Sequence, residues 1–136
     1  KKNGRLVFLS WNKIENNPWM DYPSQAAFKI LPQPEKQKEN SPGAFSLSDE
    51  AVIKETLINS GFDNVESRKF DININLGELE QAVHFATQLG PAATPYAEAG
   101  DSQKNEAKAA IKDKLSKFKH DENILLPGSC WLTTAY

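Results

Sequence analysis

With 136 residues, 39% hydrophobic and 25% charged, the chain has the make-up of one packed domain or a large piece of one, which excludes wholesale disorder. A formal net charge of -2 excludes a global attraction to nucleic acid or to an anionic membrane. One cysteine, Cys130, excludes a disulfide framework and a cysteine-based zinc site, and it fits a reducing, cytoplasmic location.

In chain order, Asn3-Gly4 is a turn signal, and residues 5–11 are a short apolar run typical of a strand buried on both faces. No signal-peptide pattern opens the chain, and apolar runs such as Leu6–Leu9 fall far short of the ~20 residues a membrane helix needs. The abrupt start of the strand, with no initiator Met, reads as a fragment boundary. A proline-rich stretch follows, in which a short helix is expected with Pro23 in its first turn and Pro32 as its stop. Residues 33–44 read as a mobile connector.

The clearest unit comes next. Ser48 is expected to cap a helix with Asp49 and Glu50 in its first turn and Val52, Ile53, Thr56, Leu57 and Ser60 on one stripe. Gly61 closes it with a left-handed cap, and Phe62 packs behind. A strand follows over 64–74, with a bulge or bend expected between Val65 and Phe70 because their parities differ. Leu79, Ala82, Val83, Ala86 and Leu89 mark a helix ended by Gly90-Pro91. Asp101 or Ser102 caps another, with Ala107, Ala110, Ile111, Leu115 and Phe118 on its stripe, and its lysines interleaved with Glu106 and Asp113 read as a solvated face. Pro127-Gly128 makes the last turn before a closing strand over 129–136.

Several of these segments are similar to one family. Asn3-Gly4-Arg5-Leu6-Val7-Phe8 resembles the start of the fifth strand of class I S-adenosylmethionine-dependent methyltransferases. Phe45-Ser46-Leu47-Ser48-Asp49 and Leu57-Ile58-Asn59-Ser60-Gly61-Phe62 resemble the two ends of the helix after it. Residues 64–75 resemble the sixth strand, and Leu126-Pro127-Gly128-Ser129-Cys130-Trp131-Leu132 resembles the seventh. The nearest subgroup is the ubiquinone/menaquinone-type and related small-molecule methyltransferases.

The resemblance implies an α/β fold, the C-terminal portion of a Rossmann-like methyltransferase sheet. It would have three strands, the last antiparallel between the other two. Residues 1–136 would then be the C-terminal half of the domain, with a lid or connector over 12–47 and inserted helices over 78–120. The family holds S-adenosylmethionine on a Gly-rich loop after its first strand. Gly4, Gly43, Gly61, Gly77, Gly90, Gly100 and Gly128 are too far apart to make such a loop. S-adenosylmethionine is therefore expected in the intact enzyme and no cofactor in this fragment, which should be inactive alone.

Ligands in open α/β sheets bind beyond the carboxyl ends of strands, which singles out Trp11 and then Trp19 with Asn16, Asn17 and Pro18 as pocket lining. Trp11, Asn17 and Trp19 are the expected contacts to a small-molecule methyl acceptor. His84, with Glu80 and Gln88 one turn away on either side, is a fourth candidate as a base beside the acceptor. His120 at a helix end and Asp121-Glu122 in a turn read as structural or solvent-facing. Methyl transfer asks mainly for alignment in a dry pocket, so no catalytic residue is assigned. The competing reading is a non-enzymatic α+β binding or dimerisation module. If the fourth strand of the methyltransferase sheet is absent, the Leu6–Leu9 edge is exposed and unpaired and invites self-association of the isolated chain.

Overall fold

The computed structural model describes residues 4–35 and 41–136; Asn3 of the expected turn and residues 36–40 of the expected connector lie outside the described residues. The apolar run Leu6–Trp11 forms strand β1. A 3-10 turn at Ile14–Asn16 leads into α1 (Pro18–Ala27), followed by α2 (Glu50–Asn59) and β2 (Glu66–Asn75). Then come α3 (Leu79–Gln88), α4 (Ala93–Glu98), α5 (Asp101–Ser116), β3 (Lys119–His120) and β4 (Asn123–Ala135).

The sheet order is β1-β4-β2, with β3 paired to β4. β4 is antiparallel to β1, placing Leu6 opposite Ala135, Phe8 opposite Thr133 and Trp11 opposite Cys130. Against β2 it is antiparallel as well, and just beyond the strand ends Asp63 and Tyr136 exchange both backbone hydrogen bonds, at 2.6 and 3.0 Å. The last strand thus lies between two strands that are parallel to each other. The described residues form an α/β structure with an antiparallel four-stranded sheet and five helices, one strand more than the sequence predicts.

The chain divides into two units: Lys1–Asn17, Gln37–Ile72 and Gly128–Tyr136 form the first, and Pro18–Lys36 and Asn73–Pro127 the second. Of the expected lid, residues 12–17 and 41–47 fall in the first unit and 18–35 in the second.

In the first unit, α2 lies on one face of the sheet. Ile53, Leu57 and Ala135 are buried there, with Leu6, Phe8, Leu47, Phe62, Val65 and Trp131 packed around them. Burying side chains such as Ile53 and Leu57 contributes about 1.5–3 kcal/mol each. The helix starts one residue later than expected. Asp49, not Ser48, is the N-cap, its Oδ1 accepting the Ala51 N–H at 2.9 Å, while the Ser48 carbonyl accepts the Trp131 indole N–H at 2.8 Å. At the other end Gly61 takes φ +87°, and the N–H groups of Gly61 and Phe62 donate to the carbonyls of Ile58 and Leu57, which is a Schellman closure. No bulge interrupts β2. Ser67 bonds Thr133 and Asp71 bonds Ser129, each pair four residues along its strand from the other, so the register holds across the interval. The irregularity comes before the strand, at Asn64 with φ +48°.

In the second unit, α1 begins at Pro18, where a missing N–H costs nothing, and Pro23 falls in the helix interior and not in its first turn. The hydrogen bond lost at Pro23 is offset by burial of Pro23 with Trp19, Met20, Ala26 and Ala27. α3 buries Ala82, Val83 and Ala86 of its expected stripe, whereas Leu89 at its C-cap is exposed, and Gln81 Oε1 accepts the Glu78 N–H at 3.0 Å to close its first turn. Gly90 ends that segment at φ +96°, a conformation L side chains rarely adopt, and a Cβ there would stand 3.1 Å from Met20 Cγ, so the Met20 side chain would have to give way. α5 packs on α1 and α3 through Ala107, Ile111 and Leu115. Gly100 is its N-cap in place of Asp101 or Ser102, and the Ser102 hydroxyl donates to Glu106 instead. His120 does not end a helix. It pairs with Asn123 in a hairpin that turns at Asp121, φ +52°.

β4 runs straight through Pro127-Gly128, where the sequence predicts a turn. It pairs with β3 over residues 123–124 and with β1 over 130–135, so Pro127 lies outside both of those ladders.

The α2 cap yields a direct test. Lys13, 2.9 Å away, holds the Asp49 carboxyl below its ordinary pKa of 3.8, helped by the Ala51 N–H. Asp49→Ala should lower stability by about 1 kcal/mol in urea melts at neutral pH. A depressed folded pKa stabilises fully above 3.8 and loses that contribution as the pH falls through the folded value, so the two proteins should converge in strong acid.

Candidate functional site

β1 and β2 both point their carboxyl ends the same way, and β1 is an edge strand. At the carboxyl end of β1 the first unit has a cleft of about 420 Å³. Leu9, Ser10 and Trp11 form its β1 wall. Ala44, Ser46 and Leu47, from the turns that precede α2, form another, and Ile72 and Cys130 complete it from β2 and β4. None of these residues is charged. A second groove of about 430 Å³ lies beside α2 and the amino end of β2, but Glu50, Lys54, Glu66 and Arg68 make it a solvated ionic surface.

Beside the cleft the chain turns away from β1 on a network of buried amides. Asn17 is completely buried. Its Nδ2 donates to the carbonyls of Asn12 (2.9 Å), Lys13 (3.1 Å) and Ser129 (3.1 Å), and its Oδ1 accepts the Ser129 N–H at 3.0 Å. The Ser129 hydroxyl donates to Asp71 Oδ1 at 2.7 Å and accepts from Asn12 Nδ2 at 3.3 Å. Asn12 Oδ1 in turn accepts the Lys13 N–H and Asn16 Nδ2. One side chain thus satisfies the backbone of the 12–17 turn and ties it to β4.

The four site residues expected from the sequence fare differently. Trp11 lines the cleft and is half-buried. Asn17 stands next to the same stretch of β4, but its amide is engaged by backbone groups and holds the turn. Trp19 and His84 belong to the second unit. Trp19 is buried in α1 with its ring 6.2 Å from that of Phe85, a core packing role. His84 is exposed on α3, and no hydrogen bond to its imidazole is present among the described residues.

Sequence reading missed Ser10, Asn12, Asp71 and Ser129, which have no motif spacing. Only the antiparallel register brings residues 12 and 129, or 71 and 129, together. Burial first, and the Asp71 carboxylate second, push the Cys130 thiol above its ordinary pKa, so at neutral pH it is an inert packing group and not a nucleophile. Among the described residues no three His, Cys, Asp or Glu side chains converge to hold a metal, and no helix is long and apolar enough to cross a membrane. The chain matches no protein-family model and no curated protein.

Asn17→Ala would strand three carbonyls and one N–H in a buried turn. We expect a loss of about 3 kcal/mol in chemical denaturation, the sum expected when several buried groups lose their partner. Asn17→Asp should cost at least as much, because a carboxylate facing three carbonyls has nothing to donate.

Proposed function

We propose that this chain is the acceptor-side, C-terminal segment of an S-adenosylmethionine-dependent methyltransferase acting on a small molecule, within a Rossmann-like sheet. The observation that carries the reading is the strand order. A last strand lying antiparallel between two parallel strands is the arrangement that the resemblance implies for the end of that sheet. The cleft at the carboxyl end of β1 is where an open α/β sheet receives its ligand.

On this reading the cleft's work is alignment and exclusion of water. Trp11, Leu9 and Ile72 supply an apolar wall for the acceptor, and the Asn17 network keeps the turn beside it rigid. The chain's own residues do not fit the cofactor. Its seven glycines are dispersed, and Gly61 and Gly90 are committed to helix ends, so no Gly-rich loop is present to cradle it. S-adenosylmethionine would be held by residues other than those of this 136-residue chain.

Calorimetric titration tests the reading. S-adenosylmethionine and S-adenosylhomocysteine should bind the product of the complete reading frame and not this chain alone. Binding by neither would favour a non-enzymatic binding or dimerisation module. We further propose that the isolated chain self-associates through the free edge of β1, where Val7 and Leu9 are 47% and 55% exposed. Light scattering should show mass rising with concentration, and a strict monomer would rule this out.

A further inference from the structure

Of the two outer strands in the order β1-β4-β2, only one is protected by charge. β2 carries Glu66, Arg68 and Lys69, and charges of this kind discourage strand addition. β1 carries none from Leu6 to Trp11. One bond just beyond its ladder fixes the direction of its backbone groups. Asn12 continues the β1 register opposite Ser129 and donates its N–H to the Ser129 carbonyl at 3.0 Å. Backbone groups alternate sides along a strand, so Leu6, Phe8 and Ser10 also turn theirs towards β4, and Val7 and Leu9 turn theirs away from it.

Both faces beside that edge are apolar. Leu6 and Phe8 are half-buried on the α2 side, and Val7 and Leu9 are exposed on the other. On the α2 side Leu6, Phe8, Leu47, Ile53, Thr56 and Leu57 line a recess of about 230 Å³. No residue of β4 or β2 lines it, so it lies between α2 and the outer strand. These features are self-complementary. When two β1 strands pair antiparallel about Phe8, Val7 faces the partner's Leu9, and four backbone hydrogen bonds form between those residues. Phe8 then stands opposite the partner's Phe8 in a non-hydrogen-bonded pair, where side chains come closest, with a recess beside each ring. Arg5 comes opposite the partner's Trp11, a cation facing an indole. A centre at Leu9 would set Phe8 against Ser10, and one at Val7 would set Leu9 against Arg5. We propose that the occupant of the β1 edge is a second copy of this chain, in a two-fold antiparallel β1–β1 pairing centred on Phe8. An interface one strand wide falls below the roughly 800 Å² per partner of a standard one, so the dimer is weak and concentration-dependent.

This dimer rests on the self-association proposed above, and disulfide trapping separates the two. In a Cys130→Ala background, Phe8→Cys, Val7→Cys and Leu9→Cys are oxidised mildly at millimolar protein. Phe8→Cys should link two copies, since opposite Cα atoms in such a pair are about 4.5 Å apart. Val7 and Leu9 are displaced from their own copies by two residues, about 7–8 Å, so their variants should link about tenfold more slowly. Leu9→Lys alters an exposed side chain and should weaken association about tenfold in sedimentation, with an unchanged melting temperature in dilute solution. Linkage at Val7 or Leu9 as fast as at Phe8, or none in a folded Phe8→Cys, would overturn the Phe8 register and leave self-association standing. Undiminished association of Leu9→Lys would overturn the edge pairing, whether or not Phe8→Cys folds. A strict monomer at millimolar concentration would overturn the dimer and the self-association together, and would leave S-adenosylmethionine binding by the complete reading frame untouched.

Discussion

Everything in the first unit depends on one strand being antiparallel between two others. β4 supplies the hydrogen-bond partners of β1 on one side and of β2 on the other, and β1 pairs with no other strand among the described residues. Because β4 separates them, β1 and β2 are free to run parallel, and their carboxyl ends face the same way. The apolar face formed by Leu6, Phe8 and Ala135 then has a single orientation in which α2 can cover it. A one-residue slip of β4 would turn Ala135 and Trp131 away from α2 and carry Ser129 away from both Asn12 and Asp71. The register is therefore fixed twice, by apolar burial at one end of the ladder and by the buried amide network at the other.

The cleft follows from the same constraint. Once β1 ends at Trp11, the chain must leave the sheet while its backbone groups are still buried. Asn17 solves this by standing in for a strand, donating to three carbonyls and accepting one N–H. With the turn held in that way, Trp11 and Ser10 are left beside the 44–47 segment with uncharged walls around them.

Much of the fold was legible because local chemistry and global packing agree. The apolar run of β1, the Gly61-Phe62 closure of α2 and the stripe of α3 are each dictated by residues within one or two turns, and all appear where expected. Where reading failed, a longer-range interaction prevailed over a local signal. Pro127-Gly128 looks like a turn, yet it lies within the continuous strand β4, past the β3 pairing and short of the β1 pairing. Pro23 looks like a helix start, yet burial holds it inside α1. α4 and β3 are too short to show periodicity, being six and two residues long. Of the expected site, Trp11 was readable as an aromatic at a strand's carboxyl end. Ser10 and Ser129 were not, because a serine carries no signal until the register shows what it faces. Trp19, read as pocket lining together with Asn16, Asn17 and Pro18, is buried in α1 beside Phe85.

Strand order is the central claim, and backbone proton contacts in solution measure it most directly. Nuclear Overhauser spectra of the uniformly labelled chain should show antiparallel cross-strand contacts linking Phe8 with Thr133 and Leu6 with Ala135. A second antiparallel set should link β4 to β2, and no contacts should join β1 to β2. Direct β1–β2 contacts, or a β1–β4 pairing displaced by one residue, would contradict the sheet order, the cleft built on it and the functional reading that the order supports.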